Sequence, residues 1–216
     1  MGMDITMHEP PTPAEIREAG LDADSPDYYR FNVSGMRVMV LAMVAAGAVS
    51  ERDKVPEFPA WPPKGTPKDR VDALRDAFWE EASLEVKLTD RERIQLRAVK
   101  QQHAKVLATR SARKGMVPAY KFASNEGWIV SPAECAAIAL RMRAYAKRVT
   151  QKDLDALSAA YAETQAKLLA AMQRPGEHVI LGKEGLGMSL DELRAWVDSW
   201  AAYNAVAAKH GGYRVE

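Results

Sequence analysis

Five helix starts are written into this chain as cap signatures, and they constrain its fold more than any other feature. Thr12-Pro13-Ala14-Glu15 and Ser131-Pro132-Ala133-Glu134 each join a hydroxyl N-cap, a proline at the first helical position and a glutamate that reaches back to the cap. Thr66-Pro67-Lys68-Asp69 is an acidic variant, and Ser189-Leu190-Asp191-Glu192 is a box without proline. Ser25-Pro26-Asp27 reads as the opening of a helix carrying Tyr28 to Val49. Val130 with Cys135, and Met188 with Leu193, sit at hydrophobic-staple offsets around two of these caps, so Cys135 has a packing role before any reactive one.

Periodicity fills in the elements between the caps. Val38 to Val49 is almost entirely apolar, but its twelve residues fall short of the roughly twenty that a membrane span needs, so it reads as a buried central helix. A helix is expected from Pro67 to about Val86. Another, strongly basic, runs from a Thr89 or Asp90 cap to about Ser111, with Leu96, Val99, His103 and Val106 along its apolar line. Between Pro132 and Gln173 the apolar stripe changes phase by about 120°, and Thr150 with Asp153 makes a new cap, which predicts two helices meeting near Thr150. Arg174-Pro175-Gly176 stops the second, and a final helix covers Leu190 to His210.

Two short β-prone stretches, Gly127-Trp128-Ile129-Val130 and Gly212-Tyr213-Arg214-Val215, bracket the C-terminal part of the chain. His178 to Leu181 is β-prone as well and leads into a glycine-rich loop from Gly182 to Gly187. The expected fold is therefore mainly α: a multi-helix bundle with a small two- or three-stranded antiparallel sheet formed near the C-terminus. The expected organisation is N-terminal helices over 1–54, a proline-rich linker over 55–66 lying on the body, a helical pair over 67–121 and a C-terminal module over 122–216. Together they are expected to form one compact unit. Prolines at 56, 59, 62, 63 and 67 keep the linker irregular, while Phe58 and Trp61 within it predict rings inserted into the body.

Composition excludes several classes of chemistry. The single cysteine, Cys135, rules out an internal disulfide and a cysteine-based zinc site, and the four histidines have no ligand spacing. No metal or other cofactor is expected. The N-terminus lacks a secretory pattern, which predicts a cytoplasmic protein that is not in a membrane.

Candidate sites are sparse. The Gly182 to Gly187 loop meets a helix start but lacks the phosphate-loop pattern, and Glu184, Asp191 and Glu192 oppose an anion there. His103 has no nucleophile to serve as base for, so no catalytic residue is assigned. Charge gives a stronger signal. Between Arg91 and Lys121 nine cations face only Glu92, a surplus of eight that leaves the remainder at −7 against a net charge of +1. The nucleic-acid candidates are accordingly Arg93, Arg97, Lys100, Arg110, Arg113 and Lys114, the first three within about 60° on one helix face. Tyr28, Arg30, Asn32, His103 and Asn204 are the candidates for partner or ligand contact.

The segments Phe122 to Glu134 (FASNEGWIVSPAE) and Tyr203 to Val215 (YNAVAAKHGGYRV) resemble those of a loose group of bacterial and phage proteins. That group places a Ser-Asn-x-Gly-Trp segment before a capped helix and ends in a His-Gly-Gly-aromatic tail, and the Tyr-Arg-Phe-Asn run near the N-terminus is similar too. The resemblance implies a bacterial or phage origin and a shared C-terminal closure, and carries no activity. The sequence thus points to a non-enzymatic helical interaction or accessory protein with a protein partner. Nucleic-acid binding through residues 91–114 is the alternative, and an enzyme whose site assembles only in three dimensions is a third.

Overall fold

The computed structural model describes residues 2–79, 88–172 and 186–216. They divide into two compact units, one built from the two ends of the chain, up to Lys54 and from Arg110 onward, and one from Val55 to Thr109. The first contains a four-stranded antiparallel sheet in the order Tyr28–Asn32 (β2), Gly2–Met7 (β1), Tyr213–Val215 (β6) and Trp128–Val130 (β5). The expectation of a mainly α bundle with a small sheet near the C-terminus is thereby corrected. Half of the sheet comes from the N-terminus, and a parallel pair, Val49–Ser50 (β3) with Val117–Pro118 (β4), adds to it.

The physical reason lies in period-two patterning. Met3, Ile5 and Met7 are buried while Asp4 and Thr6 between them are part exposed, the alternation of a strand with one wet face. Tyr28 to Asn32 alternates likewise, with Phe31 buried and Tyr29 packed at 5.2 Å from the Trp200 ring. Ser25-Pro26 opens a turn, closed by Tyr28 N–H donating to Ser25 O at 3.1 Å, and no helix begins there. The helix starts later, at Val33–Ala45 (α2), where the Asn32 side chain accepts from Gly35 N–H.

The two bracketing strands do pair, Trp128 opposite Val215 and Val130 opposite Tyr213. On its other side β6 pairs with β1, and Asp4 and Glu216 exchange backbone bonds of 2.6 and 2.7 Å. Behind the inner face stand Pro132–Arg148 (α5) and Leu190–Ala207 (α7), with Pro13–Ala19 (α1) and Gln151–Met172 (α6) beside them. Val149 is extended between α5 and α6, and Asp153 caps Thr150 N–H at 2.8 Å, so the phase change in the apolar stripe becomes a break. Trp200 packs on Tyr29, Phe31, Tyr203 and Tyr213 at ring distances of 5.2 to 5.9 Å typical of offset and edge-on pairs, and donates from its indole N–H to Met43 Sδ at 3.3 Å.

The points where the chain leaves and rejoins this unit are clamped together. Val49 pairs with Val117, and Asp53 accepts from Ser111 Oγ at 2.6 Å. Residues 55–109 are thus an insertion, made of the proline-rich segment, Lys68–Trp79 (α3) and Asp90–Leu107 (α4). Within it Trp61 donates its indole N–H to Leu74 O at 2.8 Å, and Phe58 lies 4.8 Å from the His103 ring. The expected continuation of α3 to Val86, the Arg174-Pro175-Gly176 stop, the His178 to Leu181 stretch and the loop from Gly182 to Gly185 lie outside the described residues.

Closure depends on one glycine. Gly212 holds φ +85°, and a Cβ there would sit 2.1 Å from Val130 O on the neighbouring strand. Gly212→Ala is expected to cost about 3 kcal/mol or more in chemical denaturation, because strain in the left-handed region adds to a backbone clash. Gly20 has φ +64° with nothing within 4 Å, so Gly20→Ala should cost only about 1 kcal/mol.

Candidate functional site

The inserted unit carries the basic helix. Helix α4 opens with a reciprocal box: Glu92 N–H donates to Thr89 Oγ1 at 3.3 Å, while Thr89 N–H and Oγ1–H return bonds to Glu92 Oε2 at 2.7 and 2.9 Å. Arg70 of α3 adds a fork, its Nη2 donating to the two Glu92 oxygens at 2.9 and 2.8 Å. The Thr89 backbone bond first, and the Arg70 bond after it, hold the Glu92 carboxyl down at about 2. One carboxylate therefore both caps α4 and ties it to α3.

The inward face of α4 is the expected line Leu96, Val99, His103 and Val106, each half-buried. The His103 ring lies 4.8 Å from Phe58, 5.1 Å from Phe78 and 5.9 Å from Trp79. It fills an aromatic niche of its own unit. Lys100 leans the same way, its Nζ 6.0 Å from the centre of the Phe78 ring, a distance at which a cation is drawn to the ring face. Arg93 is exposed and pairs with Asp90 at 3.8 Å. Arg97 is exposed, as are Arg91, Ile94 and Lys105, which lie on the same outward side. Arg110, Arg113 and Lys114 are exposed too but belong to the larger unit, beyond the end of α4.

In the larger unit Tyr28 and Arg30 meet at one carboxylate, while Asn32 and Asn204 are committed elsewhere. Tyr28 and Arg30 stand on the outer sheet face against Asp4, which accepts the Tyr28 hydroxyl hydrogen and lies 3.6 Å from Arg30 Nε. Asn32 is spent as the α2 cap. Asn204 is fully buried in the core, donating to Trp200 O at 2.9 Å and accepting from the Tyr213 hydroxyl at 3.1 Å. Burial pushes the Tyr213 hydroxyl well above its ordinary pKa, so it stays a neutral donor.

A buried ion pair escapes any reading of single motifs. Lys121 is completely buried and donates from Nζ to Ile129 O at 2.7 Å and to both Glu134 oxygens at 3.0 and 3.2 Å. Burial lowers its pKa, and the Glu134 charge works in the opposite direction. Glu134 at the same time accepts from Ser131 N–H and Oγ–H at 2.9 and 2.8 Å. The glutamate was legible as a capping residue; Lys121 was hidden in the basic run. Cys135 beside them is buried, its thiol pushed up by desolvation, which disfavours the reactive thiolate.

Among the described residues no group of histidine, cysteine or acidic side chains is placed to hold a metal ion, and no helix is long and apolar enough to cross a membrane. No family model, curated protein or solved structure matches the chain. The Lys121–Glu134 pair gives a testable expectation. Lys121→Met should cost about 3 kcal/mol by stranding a buried carboxylate, and adding Glu134→Gln should recover much of that loss while keeping the cap, as read from denaturant midpoints.

Proposed function

We propose that this chain is a non-enzymatic interaction protein that acts through a protein-binding surface on the inserted unit. One contrast carries the reading. The four buried polar or charged residues of the described core, Ser50, Lys121, Glu134 and Asn204, all hold bonds within the fold, whereas α4 exposes Arg91, Arg97 and Lys105 without an ion pair among the described residues. Catalytic groups concentrate where polar side chains are aimed into a shared space. Here the buried polar groups serve as structural bonds, apart from the Tyr145 hydroxyl, which has no hydrogen-bond partner among the described residues, and α4 carries uncommitted charge on its outer face. A cytoplasmic setting fits the one buried cysteine, which asks for no oxidising compartment, and a bacterial or phage origin follows from the sequence resemblance.

A second reading, nucleic-acid binding by the same helix, is favoured by the unpaired cations alone. It requires an affinity whose logarithm falls with log salt by about 0.9 per phosphate contacted on a duplex. The interaction reading is tested by photocrosslinking in the cells that make the protein, with the reactive side chain at Gln101 on α4 or at Asp155 on the exposed side of α6. A discrete protein adduct from Gln101 and none from Asp155 is expected. Small-molecule turnover by the purified chain, abolished by one polar substitution, would overturn it.

A further inference from the structure

On three other helices an exposed cation pairs with a carboxylate of the same helix. Arg75 pairs with Asp72 on α3 at 3.7 Å, Lys167 with Glu163 on α6 at 2.7 Å and Arg194 with Asp191 on α7 at 3.2 Å. That is the usual arrangement of a face that meets only water. Helix α4 departs from it after its first turn, as α5 does past Glu134, where Arg143 and Lys147 are exposed with no ion pair among the described residues. At 3.6 residues per turn, Arg91, Ile94, Arg97, Ala98, Gln101 and Lys105 all fall within about 60° of Ile94, and past Asp90 this stripe holds no carboxylate. Each of the six is exposed, and the stripe runs about 21 Å along the helix.

The middle of the stripe is apolar. Ile94 is 68% exposed, one of four large hydrophobic side chains so placed among the described residues, and Ala98 follows one turn later. Arg91 lies on one side of this line and Arg97 on the other. An apolar anchor between flanking cations is the pattern by which one helix receives another, with the seam packing and the edges selecting charge. Arginine is also among the residues enriched in protein-interface hot spots. A phosphate backbone would engage the cations but has no use for Ile94, and no aromatic ring stands on this face to stack a base.

We infer that the outward face of α4 docks an amphipathic helix of another protein, one whose apolar seam is flanked by carboxylates. The inference deepens the interaction reading above and rests on it. Ile94 enters the partner's seam; Arg91, Arg97 and Lys105 pair with acidic residues along its two edges. The inward line Leu96, Val99, His103 and Val106 stays committed to the inserted unit, so docking requires no rearrangement of α4.

The experiment is fluorescence anisotropy on the full chain with three labelled probes. They are a helical peptide of about 20 residues with leucine at the a and d positions and glutamate at e and g, a scrambled peptide of the same composition, and a DNA duplex of about 20 base pairs. The patterned peptide should bind at least about tenfold more tightly than the scrambled one, and its affinity should fall as salt is added. Ile94→Gln and Arg97→Glu should each weaken it about tenfold, with the helical circular dichroism unchanged, while Lys152→Glu on α6 leaves it as it was. Equal binding of the two peptides, an unchanged affinity for Ile94→Gln, or tighter binding of the duplex than of the patterned peptide would each overturn the proposal. If the peptide fails while photocrosslinking still traps a protein at Gln101, an acidic amphipathic helix is the wrong partner for α4 and the interaction reading survives.

Discussion

The pairing of the first strand with the last is the contact on which the larger unit depends. Strand β1 has β2 on one side and β6 on the other, and β6 in turn carries β5, so removing the β1–β6 seam cuts the sheet in two. The seam also floors the core. The Tyr203 hydroxyl of α7 bonds to Ile5 O of β1 and to Asp27 O at the turn before β2, and the rings of Trp200, Tyr203 and Tyr213 pack against the inner face. Closing a loop the length of the chain costs entropy that local helix formation does not repay, so the seam needs all of this burial behind it. Gly212 makes the approach to Val130 sterically possible.

How much of this was legible depended on whether a signal was local. Cap signatures work over four residues, and Thr12, Thr89, Ser131 and Ser189 all serve as N-caps of the helices they announce. The break at Thr150 was readable because a phase change in an apolar stripe is also local. Ser25-Pro26-Asp27 misled for a physical reason: the same residue types favour a turn, and only the alternation of Tyr29 and Phe31 distinguishes a strand from a helix beginning. Strand β1 was missed because Met3, Ile5 and Met7 make a short signal, and nothing local says which distant strand completes the sheet.

The candidate site divides in the same way. The apolar line of α4 and its basic character follow from spacing, whereas the rings of Phe58 and Trp61, expected against the body, make their contacts with His103 and Leu74 inside the inserted unit. Which cations are committed does not follow from spacing. Lys121 is buried against Glu134, Lys100 leans on Phe78 and Arg93 answers Asp90, so three members of one basic run do three different structural tasks. Of the cations left uncommitted, the three on α4, Arg91, Arg97 and Lys105, surround an isoleucine that the charge pattern had concealed. The proposed interaction therefore lies on the inserted unit, while the buried ion pair and capping bonds of the larger unit serve its own fold.

Native-state hydrogen exchange of the backbone amides measures that closure directly. If the β1–β6 seam is the constraint that holds the larger unit together, the amides of Asp4 and Glu216, which bond across it, should exchange only with global unfolding, at the same free energy as the buried amides of α5 and α7. Rapid exchange at Asp4 and Glu216 while α5 and α7 remain protected would show that the chain ends fray independently, and would contradict the account.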